Sequence, residues 1–501
     1  MTSVLRRFLD IERDELAPVL AAIGFFFCVL CGYFLIRPVR EALGVERGIG
    51  ELHWLFISTA GVMLLVSPVY GALVSRWDRR IFVPGVYQFF VLNLVAFYAL
   101  RQFFPELIGV TTGRVFYVWA SVFNLFATSM FWQVMADSFT LGQSKRLFPI
   151  VALGGTIGAL VGAALSTFLA ERIGTINLML VSAAVLEGAI VFVIVLMRAA
   201  DRMAARHTCR KCGYDLSGID SQRCPECGER IDWWRVTTRE PTSLQAPVTL
   251  AASFRGITQV VRSPYLLGIA TYVVILAIVS TFLYFAQASI ITKLSPDTDA
   301  RTMMFGRIDF WAQAATLVLQ AFVVGRLMRT LGVGLMLVLL PLIGMATMGA
   351  LAIWPTLLAL TIAQVAFRSG KYAIARPARE TLFTVVARED KYKAKAVMDT
   401  FGYRAGDVMG ALADATIKAA GFGLMGVALV VLPLGAAWGG LGLALGTRQR
   451  KLAGAKPLIC ETCRYDLSGV PMQNGRVVCP ECGSETRPTR AQFDSNRRVA
   501  R

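Results

Sequence analysis

Histidine is nearly missing from this 501-residue chain: His53 and His207 are the only two. Neither is grouped in the sequence with acids, which argues against a histidine-based catalytic site and leaves no expectation of an enzyme. Charge is scarce as well, at 17% of residues against 55% hydrophobic, with a mean hydropathy of +0.58. Soluble domains carry about 25% charged residues, so water is not the main solvent of this chain. Acids are scarcer than bases, 33 against 51, which gives a formal charge of +18. In a soluble protein that surplus would suggest nucleic acid. Here the basic residues fall mostly between apolar runs and in the tail, so membrane topology accounts for them and nucleic acid is not an expected partner. A P-loop is also lacking, which argues against pumping driven by nucleotide hydrolysis on this chain alone.

What is abundant is the apolar run of about twenty residues, long enough for a helix to cross roughly 30 Å of hydrocarbon. Such runs recur from Leu16 to Leu445 and are continuous and rich in Gly, Ala and Leu. That pattern fits packed membrane helices and not the alternating strands of a barrel. The expected spans are 15–37, 53–75, 81–101, 114–140, 147–170, 174–198, 264–292, 306–328, 333–353, 355–386, 396–419 and 423–446. The first follows Arg6, Arg7 and Arg13, ends in no small-residue cleavage motif, and is read as a retained helix. With the N-terminus inside, the cytoplasmic connections hold Arg76, Arg79 and Arg80, then Lys145 and Arg146, then Arg326 and Arg329, then Arg388 to Lys395, as the positive-inside rule requires.

The expected fold is therefore an all-α membrane protein of about twelve transmembrane helices in two six-helix halves. The first half is 1–198, a polar cytoplasmic loop follows at 199–262, the second half is 263–446, and a basic cytoplasmic tail occupies 447–501. An internal echo supports the division. In each half the fourth helix leads to a basic turn and then to a Gly-rich fifth helix, the paired-half layout of facilitator-type transporters.

Loop and tail each hold one copy of a cysteine pattern, using eight of the ten cysteines. Cys209, Cys212, Cys224 and Cys227 lie in CRKCGYDLSGIDSQRCPECG, and Cys460, Cys463, Cys479 and Cys482 in CETCRYDLSGVPMQNGRVVCPECG. Two CxxC pairs let four thiolates enclose one tetrahedral zinc ion with no open position, so each module is expected to be a structural zinc ribbon. Disulfides would need an oxidising compartment, and both modules fall on the side marked cytoplasmic. The ribbons could pack on the bundle or meet a soluble partner. Cys28 and Cys31 share the spacing but stand in an apolar helix and read as packing residues.

Ionisable groups at membrane depth cost several kcal/mol unless paired or wetted, so their positions point at a cavity. The tenth span carries Arg368, Lys371, Arg376 and Arg379, with spacings that put Arg368, Lys371 and Arg379 on one α-helical face. The eleventh carries Arg404, Asp407, Asp414 and Lys418, with Lys395 at its entrance. In the first half Arg37, Arg40 and Glu41 surround Pro38, Asp137 lies at the end of the fourth span, and Glu187 and Asp309 are isolated acids. Two readings compete. Either these groups pair and lock helices together, as Arg404 could with Asp407, or a cationic surplus around Arg368, Lys371, Arg376 and Arg379 attracts an anionic substrate. Phe131, Trp132, Phe367 and Tyr372 are placed either to stack a planar ring or simply to pack.

Three strings carry a family resemblance: LIRPVREALGV from Leu35, FWQVMADSFTLGQSKRLFPIVALGG from Phe131, and KYAIARPARETLFTVVAREDKYKAKAVMD from Lys371. With them the chain resembles the ATP/ADP translocase family of nucleotide transporters, known from plastids and obligate intracellular bacteria. The resemblance implies a major facilitator-like fold and exchange of ADP for ATP by alternating access. It also implies that Arg37 matches a family arginine, that Arg40 stands where members have a lysine important for transport, and that Lys395 matches a basic residue leading into the eleventh helix. The function expected is a secondary transporter of a small anionic solute, more finely a nucleotide antiporter, in a bacterial inner membrane with both termini cytoplasmic. The alternative is a non-transporting membrane sensor or scaffold that displays the ribbons.

Overall fold

The apolar runs fold as helices. A computed structural model describes residues 15–46, 48–76, 78–139, 141–205, 223, 226–228, 258–386, 394–395, 397–453, 462, 476–479 and 482–486. Among them, ten helices are long and apolar enough to cross a membrane. In chain order α1 is Leu16–Gly44, α2 Leu52–Arg76, α3 Arg79–Phe103, α4 Pro105–Ser138, α5 Leu141–Ile173, α6 Leu178–Ala205 and α7 Pro264–Leu294. The spans α8, Thr298–Met328, and α9, Thr330–Ile353, follow. At Gly332 the chain turns with a φ of 70°, a conformation glycine adopts without steric cost.

The tenth and eleventh expected spans are interrupted helices and are not among those ten. α10 runs through Leu357–Ser369, a π-turn at Gly370–Ala375 and Arg376–Leu382. α11 runs through a π-turn at Met398–Gly402 and Tyr403–Ala419, and α12 is Gly423–Ala453. Helix starts are set locally. Asp78 accepts a hydrogen bond from Arg80 N at 2.9 Å ahead of α3, and Asp297 accepts from Ala300 N at 2.8 Å ahead of α8. Among the described residues the sole strand pair is β1, Val477–Val478, antiparallel to β2, Glu485–Thr486.

Packing divides the chain into unit 1, Met1–Val248 with Ile291–Gln313, and unit 2, Thr249–Ile290 with Ala314–Arg501. In unit 1 α1 is buried among α4, α5 and α6. Its contact with α5 is a glycine stripe: a Cβ at Gly154 would fall 2.9 Å from the carbonyl oxygen of Ile23, and one at Gly158 or Gly162 closer still to those of Phe27 and Cys31. Lipid offers no hydrophobic force to pull helices together, so such close backbone approach supplies the dispersion contacts that hold them. Aromatic rings fill the rest, with Phe26 stacked on Phe131 at 4.0 Å and Trp119 on Phe123 at 5.5 Å.

Unit 2 uses the same device. A Cβ at Gly406 of α11 would lie 2.6 Å from the Val274 oxygen of α7, and one at Gly410 would lie 3.2 Å from that of Ile278. In both units a pair of helices thus docks through glycines four residues apart.

Candidate substrate site

In unit 2 the charges of α10 divide at its π-turn. Arg368 donates to Gln287 Oε1 at 2.7 Å and Lys371 donates to Ser280 Oγ at 3.1 Å. Both acceptors belong to α7, seven residues apart, a spacing that returns to one helical face. Ser280 and Lys371 each stand near the middle of their helices. Lys371 is half-buried, and its ammonium lies 5.8 Å from the Tyr372 ring and 5.7 Å from the Tyr403 ring. Among the described residues no carboxylate lies within 4.0 Å of it.

A charge at the centre of a membrane helix costs roughly 2.5–3.5 kcal/mol on insertion scales. One hydrogen bond to a neutral hydroxyl returns about 1 kcal/mol, and each cation–π contact returns about 0.5–1 kcal/mol when exposed. These gains do not clearly cover the cost. Lys371 can therefore take an anion as its counter-charge.

Arg379 behaves differently. Arg379 lies 5.5 Å from the same Tyr403 ring that Lys371 approaches, but carboxylates flank it. It is 6% exposed and reaches α11, donating to Tyr403 Oη at 2.7 Å and lying 3.5 Å from both Glu380 and Asp399. Lys395 joins this network through Glu380 at 2.7 Å. Arg376 is exposed and near enough to Glu380 and Asp399 to feel both carboxylates. The cationic surplus expected across four residues thus narrows toward Lys371. Farther along α11, Arg404 pairs with Asp407 at 3.0 Å, and Lys418 pairs with the buried Asp414 at 2.6 Å. These ion pairs fit the helix-locking reading.

In unit 1 the charges meet acids. Arg37 donates to Asp309 at 2.7 Å and lies 3.9 Å from Glu41, while Arg40 pairs with Glu41 at 2.5 Å and donates to Ser121 at 3.1 Å. Asp309 and Glu41 are each 2% exposed. The same face of α8 is held by further contacts within the unit. Asp299 accepts from Thr175 N at 2.7 Å, Thr175 donates to Thr302 at 2.9 Å, and buried Arg301 donates to the Val45 carbonyl at 3.3 Å. Gly306 lies against Thr167, where a Cβ would come within 2.9 Å of its hydroxyl.

The remaining expected residues take structural places. Asp137 lies 3.4 Å from Arg79, and Glu187 accepts from Gln88 at 3.0 Å. Phe131 and Phe367 are buried packing rings, whereas Tyr372 is exposed. Of the expected zinc ligands Cys227, Cys479 and Cys482 are among the described residues, while Cys209, Cys212, Cys224, Cys460 and Cys463 lie outside them. Sequence reasoning missed Ser280, Gln287 and Tyr403. Neutral polar groups in an apolar run carry little signal beyond the seven-residue spacing of the first two.

The profile of the family described as TLC ATP/ADP transporter matches residues 98–352, half of the chain. The chain belongs to that family. Members similar to it include ADP,ATP carrier protein 1 of Chlamydia trachomatis serovar D, 21% identical over 469 residues, covering 81% of this chain and 83% of the relative. The protein of the same description from Chlamydia pneumoniae is 22% identical, covering 81% and 86%. Among solved structures, a mutant of the nucleoside transporter NupG superposes with a TM-score of 0.55 at 9% identity, covering 87% of this chain and 99% of that one. An autoinhibited POT family peptide transporter gives 0.54 at 10%, covering 90% and 99%. This TLC family chain therefore has a major facilitator-like fold and is a multi-pass membrane transporter.

Proposed function

We propose that the chain is a secondary antiporter of adenine nucleotides that works by alternating access, with Lys371 and Arg368 holding the phosphate groups. The observation that carries this reading is the mid-helix ammonium of Lys371, set on a hydroxyl and two aromatic rings with no described carboxylate in reach. Family membership and the description of the relatives as ADP,ATP carriers supply the nucleotide. In this reading α10 and α11 complete a twelve-helix bundle in a bacterial inner membrane with both termini cytoplasmic. The cysteine modules are cytoplasmic zinc ribbons, one after each six-helix half.

The test is uptake of labelled ATP into proteoliposomes preloaded with ADP. Exchange predicts fast uptake that requires internal nucleotide and, at low nucleotide concentration, is much slower in Lys371→Gln. No nucleotide movement in the wild-type protein would overturn the transport reading and favour the sensor or scaffold. Equal uptake into empty vesicles would overturn exchange.

A further inference from the structure

Tyr403 opens the α-helical part of α11 directly after its π-turn and stands between two cations of α10. Lys371 Nζ lies 5.7 Å from the centre of its ring, and the Arg379 guanidinium lies 5.5 Å from it. The phenol hydroxyl is engaged in one sense only. Its oxygen accepts from Arg379 Nη1 at 2.7 Å, and among the described residues its proton meets no acceptor. Ser280 is used the opposite way: it donates to the Leu276 carbonyl at 2.6 Å and meets the Lys371 ammonium as an acceptor. Arg379 is itself held by acids, lying 3.5 Å from Asp399 of the α11 π-turn and 3.5 Å from Glu380, which Lys395 grips at 2.7 Å. The guanidinium is 6% exposed, and its Nε is buried without a hydrogen-bond partner among the described residues. Around Tyr403, donors therefore outnumber acceptors.

We infer that the Tyr403 hydroxyl is a ligand for the phosphate group met by Lys371, and that Arg379 is the positioning residue that aims and polarises it. Arg379 is too deeply buried to grip a solute, so it acts through the phenol. A hydrogen bond accepted from a guanidinium draws electron density from the phenol oxygen, and in a chain of hydrogen bonds this makes the remaining O–H a stronger donor. An ionised phosphate carries acceptors alone, which is what an ammonium and a polarised phenol proton lack. A nucleoside without phosphate offers only neutral acceptors, whose bonds are about half as strong. Lys371 thus supplies attraction and Tyr403 supplies direction. The inference rests on the nucleotide reading above and deepens it by naming the residue that tells a phosphorylated solute from its unphosphorylated counterpart.

The test is binding of ADP and of adenosine to the full-length detergent-purified chain. Tyr403→Phe keeps the ring beside both cations and removes the hydroxyl alone. ADP affinity should fall about 10-fold or more, the loss of a hydrogen bond to a charged group, while adenosine affinity stays unchanged. Arg379→Gln should weaken ADP binding in the wild-type background and add little in the Tyr403→Phe background, the non-additivity of a residue that acts through its neighbour. Fluorotyrosine at position 403 of the otherwise intact chain keeps the test open where a variant does not fold: its fluorine resonance should shift with ADP and not with adenosine. Equal ADP affinity in wild type and Tyr403→Phe, equal losses for ADP and adenosine, additive losses with Arg379→Gln, or a fluorine signal unmoved by ADP would each overturn the inference alone. A wild-type chain that neither binds nor exchanges ADP would overturn the nucleotide reading and this one with it.

Discussion

Unit 1 and unit 2 both place arginine or lysine inside membrane helices, yet they treat the charge in opposite ways. In unit 1 the guanidinium groups of Arg37 and Arg40 rest on the buried carboxylates of Asp309 and Glu41. In unit 2 the ammonium of Lys371 rests on a hydroxyl and two rings. A buried charge answered by a carboxylate is settled and acts as a fastener. One answered only by neutral dipoles retains attraction for an incoming anion. The glycine stripes of α5 and α11 show that the two units share their packing, so the contrast lies in the charges and not in the scaffold.

The contrast can be broken most forcefully at Asp309. Asp309→Asn removes the acid from Arg37 and should cost about 3–5 kcal/mol, the usual penalty for stranding one partner of a buried pair. It should be read as a lower melting temperature in detergent, with most of the loss recovered when Arg37→Leu and Asp309→Leu are combined. An unchanged melting temperature for Asp309→Asn would mean the pair is no fastener. In unit 2, Lys371→Gln should leave melting within about 1 kcal/mol of wild type. It should raise the half-saturating nucleotide concentration by roughly 10–100-fold, the loss of a charge-assisted bond worth about 1.5–3 kcal/mol. A large stability loss with unaltered saturation would reverse the assignment of roles.

Smaller effects sharpen the shared part of the comparison. Gly158→Val and Gly406→Val should each destabilise by about 1–3 kcal/mol through overpacking against the carbonyls of the facing helix. A cost in only one unit would deny that the stripes are equivalent. The smallest change is expected at the half-exposed Arg404 and Asp407 pair, where Arg404→Gln should cost about 0.2–1 kcal/mol and leave transport kinetics alone.

Much of this was legible in the sequence because apolar length and charge are local properties. The expected span 53–75 is Leu52–Arg76. The start of α8 was not legible. Its helix begins at Thr298, eight residues before the first residue expected, because the polar segment holding Asp299, Arg301 and Thr302 is buried against unit 1 partners and not exposed to water. Nor were the π-turns legible, since an extra residue per turn leaves no compositional trace. Spacing grouped Arg379 with Lys371 and both approach Tyr403, but the carboxylate of Asp399 beside Arg379 comes from α11, which the spacing of α10 does not announce. The pairing of Arg37 with Asp309 joins positions 272 residues apart, which no local pattern can announce.

The central claim is that phosphate charge is met by the cations of α10. Calorimetric titration of the purified chain with ADP and with adenosine, for wild type and for the combined Arg368→Gln and Lys371→Gln variant, tests it directly. Wild type should bind ADP far more tightly than adenosine, and the variant should lose that preference while melting like wild type. ADP bound with equal affinity by both proteins would contradict the account.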